Sequence, residues 1–169
     1  MKWFKHWLIG LVLAALLSPA AQATSFTDYY ENLHVDCMFR GQACSESSPA
    51  SYYVGLLTAA CSDSAAGTEV TGGSYARVAV SRATSSWKGT HGSTTGASSG
   101  TNGTISNAAA ITFPAPTANW GTVVNFAVYD ASTSGNMVLC QALTTSKTVN
   151  NGDAAPAFAI DALTIQIDN

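Results

Sequence analysis

The sequence predicts a mainly β fold, an antiparallel β-sandwich or small barrel of about seven short strands with one N-terminal helix. Three observations predict it. Runs of aromatic and β-branched residues recur along the chain, led by Tyr52 to Thr58, Tyr75 to Val80 and Thr122 to Asp130. Clusters of Ser, Gly, Asn and Asp separate them at intervals that suit a sandwich rather than β–α alternation. Only one stretch, near the N-terminus, carries apolar residues at helical spacing.

Residues 1–23 read as a secretory signal. Met1 to Lys5 supply a positive n-region, Trp7 to Leu17 an apolar core, and Ala21-Gln22-Ala23 a small-residue cleavage pattern. The mature chain is expected to begin near Thr24 and to form a single domain over 24–169. The apolar run is well short of the roughly 20 residues that span a bilayer, so no stable membrane span is expected after cleavage.

The helix is expected over about 25–41. Phe26, Tyr30, Leu33 and Cys37 fall on one stripe, Ser25 followed three residues later by Asp28 fits an N-terminal cap, and Gly41 sits where helices stop. That stripe should lie on a sheet or on a neighbouring subunit. Ser48-Pro49 then breaks any helix before the first strand, Tyr52 to Thr58.

A loop of small residues follows, in which Asp63 and Glu69 read as solvated acids. Gly72-Gly73 marks a turn into the second strand. From Tyr75 to Val80, Ala76, Val78 and Val80 make an apolar face, while Tyr75 and Arg77 occupy the other. Arg77 and Arg82 can grip a carboxylate partner, set against edge arginines reaching solvent, and Arg77 is the candidate surface-binding residue.

Ser85 to Ser106 collapses to Ser, Thr, Gly and Asn around Trp87 and His91, an exposed excursion or pair of irregular strands pinned by Trp87. Asn102-Gly103 reads as turn chemistry. Ala109 to Phe113 is a short strand stopped by Pro114 and Pro116, and Trp120 follows in a turn. In the strand Thr122 to Asp130, Val124, Phe126 and Val128 face one side, with Val123, Asn125, Ala127 and Tyr129 on the other. Met137 to Leu143 returns as its hairpin partner. Ala157 to Ile160 and Leu163 to Ile167 finish the sheet. Trp87 and Trp120 are candidates for a binding face and equally for core anchors.

Cys37, Cys44, Cys61 and Cys140 are an even number behind an export signal, which makes two disulfides the leading reading. Sequence leaves three pairings open. Cys37 with Cys44 is favoured because one lies near the end of the helix and the other just after a glycine turn, leaving Cys61 with Cys140. Removing Lys2 and Lys5 takes the formal net charge from −3 to −5. Such a lysine-poor, acidic chain repels phosphates and makes nucleic acid an improbable partner.

The segments YVGLLTAA, GTEVTGGSYARVAV, ITFPAPTANWGTV and ALTTSKTVNNGD resemble those of small tailed-phage structural proteins, the tail-fibre-like or minor virion proteins. The resemblance runs from about Phe26 to Asp168. It implies a structural role and brings no catalytic residues with it. The export signal and the four cysteines depart from that family's pattern.

Enzyme readings fail on inventory. The mature chain has only His34 and His91, neither in a nucleophile motif, and no paired carboxylates stand out. No cofactor motif is present, and His34, Cys37 and Cys44 match no familiar zinc spacing. The expected function is a non-catalytic structural subunit that is exported and acts by self-association or surface attachment, as in an extracellular filament. The alternative is a secreted adhesin or a module binding carbohydrate or a cell-surface receptor. The expected location is the periplasm, cell surface or medium, with the virion as the other choice.

Overall fold

A computed structural model describes residues 25–40, 49–90, 92–95, 97–98 and 103–166. The chain is mainly β, with eleven strands and one helix among those residues, and its sheets stack in a sandwich-like arrangement without closing into a barrel. The excess over seven strands comes from two-residue ladders such as β1 (Ser25–Phe26), β3 (Thr68–Glu69) and β5 (Trp87–Lys88), too short to leave a periodic signal.

The central sheet is built on β2 (Ser51–Ala59), β8 (Gly121–Tyr129) and β9 (Met137–Val149), in the order β1-β9-β8-β2-β3. The free edge of β2 is shared: β4 (Val78–Ser81) pairs with Ser51 to Val54, and β3 with Leu57 and Ala59. Over this sheet lie β5-β6-β11, with β6 at Thr104–Asn107 and β11 at Thr164–Gln166, and the pair β7 (Ile111–Thr112) and β10 (Ala157–Phe158). The main core fills the space between: Leu56, Phe126 and Val128 from the central sheet meet Ile111, Leu163 and Ile165 from the covering strands.

Most strands fall where the sequence puts them, and the differences have local causes. β4 begins at Val78 rather than Tyr75, because Gly72, Gly73 and Ser74 all turn through positive φ (72°, 54° and 63°) and Tyr75 is taken up by a side-chain role. β9 runs on to Val149, beyond the expected Leu143. Its register with β8 jumps from Asn125↔Ala142 to Val123↔Lys147, so that Leu143 to Ser146 lie opposite Val124 alone. This bulge re-aims β8: Val123 joins Phe126 and Val128 in the main core instead of sharing the face of Ala127 and Tyr129.

The helix α1 spans Asp28–Phe39, shorter at its start than expected. Ser25 is not its cap, since Ser25 and Phe26 pair with Cys140 and Leu139 as β1. Thr27 takes the N-cap position, but its Oγ1 donates to the Met137 carbonyl at 2.6 Å and its N–H to Val138 at 3.1 Å, so it extends the β1–β9 contact rather than capping. No residue of α1 is fully buried, and Val35, Met38 and Phe39 are exposed. Gly41 and Cys44, like the signal at 1–23, lie outside the described residues.

The covering strands are tied together by Asn107, which is wholly inaccessible to solvent. Its Nδ2 donates to the carbonyls of Ala109 and Ala159, both at 2.7 Å, and its Oδ1 accepts from the Leu163 N–H at 2.9 Å. Every polar atom of this side chain is thereby matched, as burial of an amide demands.

Candidate functional site

The two tryptophans read as ambiguous in sequence have different fates. Trp120 is a core anchor, 5% exposed, with its Nε1 donating to the Gly73 carbonyl at 2.9 Å and its ring edge-on to Tyr75 at 5.3 Å. The positive φ of Gly73 brings that carbonyl under the indole, and a Cβ there would stand 2.9 Å from Nε1. Trp87 is only half-buried. It lines a cavity of about 400 Å³ between the central sheet and the covering strands.

Val128 and Leu139 form the cavity's floor, Trp87, Ile105 and Ile165 its roof, and Phe26 with Tyr30 one wall. The register that aligns Val128 with Leu139 turns both to the inner face. The β5–β6 pairing, Trp87↔Asn107, sets Trp87 beside the buried Asn107 and so fixes the roof at one end. Arg82, Ala83 and Thr84 are exposed and mark the opening. Among cations at the rim, Lys88 is tied to the Asp161 carboxylate. That contact and a hydrogen bond from Ser106 Oγ hold the Asp161 carboxyl below its usual range. Arg82 makes no side-chain ion pair among the described residues. His91 lies outside them.

Arg77 is turned inward, which corrects its reading as a surface-binding group. Its side chain is 9% exposed and meets Glu69 in a two-pronged bond, Nε to Oε1 at 2.8 Å and Nη2 to Oε2 at 2.7 Å. Nη1 donates to the carbonyls of Ala131 and Ser134 in the β8–β9 hairpin, and the guanidinium lies 3.3 Å from the centre of the Tyr129 ring. Burial opposes the Arg77 charge, yet the Glu69 contact outweighs it and raises the pKa. Glu69, expected as a solvated acid, is thus part of an ion pair.

Tyr75 completes this cluster. Its hydroxyl accepts from the Leu56 N–H at 2.8 Å and donates to Glu69 Oε1 at 2.9 Å, filling the gap between β3 and β4 along the edge of β2. Gly55 is required beneath it: an added Cβ would meet the Tyr129 ring, the Glu69 carboxylate and the Tyr75 hydroxyl at 2.9 to 3.0 Å. Burial pushes the phenols of Tyr75 and Tyr129 above their ordinary range. Sequence reasoning missed Tyr75 and Glu69 as a unit, because their partnership with Arg77 depends on a turn that folds three positions of one loop onto one spot.

Cys61 and Cys140 form the expected disulfide, with Cα atoms 6.3 Å apart. It pins the loop after β2 across the outer face of the sheet, where the Asp28 N–H also reaches the Asp63 carbonyl. Cys37 is disulfide-bonded as well. Among the described residues no three His, Cys, Asp or Glu side chains gather to hold a metal ion, and no helix is long and apolar enough to cross a membrane.

The chain matches the family model described as Podophage GP4 fiber I protein gp80 over residues 25–166. It belongs to that family of phage fibre proteins. No curated protein matches it.

Proposed function

We propose that this phage fibre-family chain is a non-catalytic structural subunit that is exported and works by associating with copies of itself or with other structural subunits. The family match carries this reading. It spans 25–166 and begins just past the signal read at 1–23, as a fibre domain behind an export leader would. The Cys61–Cys140 disulfide supports export, because such bonds persist in oxidising compartments and not in the cytoplasm where virion proteins are made. The exposed Val35, Met38 and Phe39 on α1 supply an apolar surface for subunit contact.

Intact mass under non-reducing and reducing conditions, with electron microscopy of the same extracellular preparation, tests the reading. A chain starting at Thr24, oxidised and present in regular filaments or other assemblies, is the expected result. A full-length, reduced chain confined to phage particles returns it to a virion component made in the cytoplasm. A monomeric secreted chain that adheres to cells favours the second reading, an adhesin or receptor-binding module, for which the half-buried Trp87 at the cavity supplies an aromatic contact.

A further inference from the structure

The cavity is out of scale with a packing defect. Its volume of about 400 Å³ falls in the range of small-molecule sites, roughly 300 to 1,000 Å³. It exceeds twice the roughly 150 Å³ of a dry engineered cavity that admits a benzene ring. Its floor and roof are aliphatic and aromatic, so water gains few hydrogen bonds there and an apolar body gains dispersion contacts on both sides. Thr84, Ser93, Thr94 and Ser98 also line it, but the floor and roof offer a ligand apolar contact.

The opening has the opposite character. Arg82 is exposed at the rim, its backbone N–H fixed on the Ala50 carbonyl at 2.9 Å and its guanidinium without an ion pair among the described residues. Lys88, the other rim cation, is neutralised by Asp161. One uncompensated positive charge therefore stands at the mouth of an apolar chamber.

We propose that this cavity binds a single amphiphile, an acyl chain or comparable apolar body inserted between Leu139 and Trp87 with an anionic head held at Arg82. The same chemistry is offered by a free fatty acid and by an acidic lipid of a membrane. The proposal does not depend on how the chain assembles.

Dodecanoate binding to the mature, oxidised protein is measured by titration calorimetry and by tryptophan emission, which reports Trp87 since Trp120 is sealed. The expected result is one dodecanoate per chain with a shift in emission. Ala83→Trp, at an exposed position of the rim, should abolish binding without lowering the Tm. Arg82→Gln should weaken dodecanoate about tenfold, the scale of one charge-assisted hydrogen bond, and leave dodecan-1-ol unchanged. Absence of dodecanoate binding, or binding indifferent to Ala83→Trp, overturns the site. Equal weakening of acid and alcohol by Arg82→Gln overturns the role of the head group. Flotation with phosphatidylglycerol vesicles that Ala83→Trp abolishes identifies a membrane lipid as the source, and dodecanoate binding without flotation a free acid.

Discussion

The two faces of the central sheet are closed by different means. On the inner face Leu56, Phe126 and Val128 pack against a second layer whose own apolar residues complete the core. The outer face carries a smaller cluster, Leu57, Ala127, Tyr129 and Cys140, with no second sheet over it among the described residues. There the cover is a loop bonded through Cys61–Cys140 and an Arg77–Glu69 pair seated on Tyr129. A face with too little apolar area above it can be closed by a covalent link and a matched charge pair instead. The physical cost differs: the inner face depends on volume, the outer on keeping a few specific partners together.

That contrast can be broken at its strongest point first. Replacing Cys61 and Cys140 together by Ala should lower stability by about 4 kcal/mol in the chain-entropy model, since the bond joins positions 79 apart. Urea denaturation measures it, and amide exchange should rise in residues 60–66 before it rises in the inner strands. A loss under about 1 kcal/mol would mean that the outer cover holds without its link. Leu163→Ala probes the inner face. Leu163 is 1% exposed, and a loss of about 3 kcal/mol is expected, added to that of the cysteine pair because the two sites lie on opposite faces. Strong coupling in the quadruple comparison would show that the faces are not independent.

Arg77→Met keeps much of the volume but strands the Glu69 carboxylate. Glu69 remains 24% exposed, which limits the loss to about 2 kcal/mol. Pairing it with Glu69→Gln should recover part of that, an outcome a purely packing role for Arg77 does not give. The smallest effect belongs to Asp161→Asn, whose backbone at φ 64° asparagine tolerates. The Asp161 carboxyl is held below its usual range by Lys88 and Ser106. Its contribution is therefore present above the unfolded value of about 3.9 and lost as pH falls below it. The Tm gap between wild type and Asp161→Asn should be visible near neutrality and close on acidification. A gap that persists at pH 2 removes the ion pair as its cause.

The long strands were legible because their residues are locally consistent: Tyr52 to Thr58 and Thr122 to Tyr129 combine β-branched and aromatic side chains and end in turn residues. The Cys61–Cys140 pairing follows from the sequence only as the pair left over once Cys37 is matched with Cys44. Ser25 read as a helix cap because its local pattern fits one, yet pairing with Cys140 outcompeted it. The cavity was legible only in the conspicuous Trp87. Arg82 is legible as an arginine able to grip a carboxylate but not as a liner of this cavity, and Tyr30 and Tyr52 give no signal, since the three meet only when a strand, a helix and a covering sheet are stacked.

By itself the sequence determined the class of fold, the strand-forming runs, the helix that follows the signal read at 1–23 and an even set of cysteines, because each is written in neighbouring residues. Only the tertiary structure decided that Arg77 turns inward to Glu69, that Trp120 is sealed while Trp87 borders a chamber, and that Val123 changes face at a bulge. Those outcomes depend on partners 8 to 57 positions away for Arg77 and on a register jump in β9. Local pattern carries no record of distances that exist only once the sheets have closed.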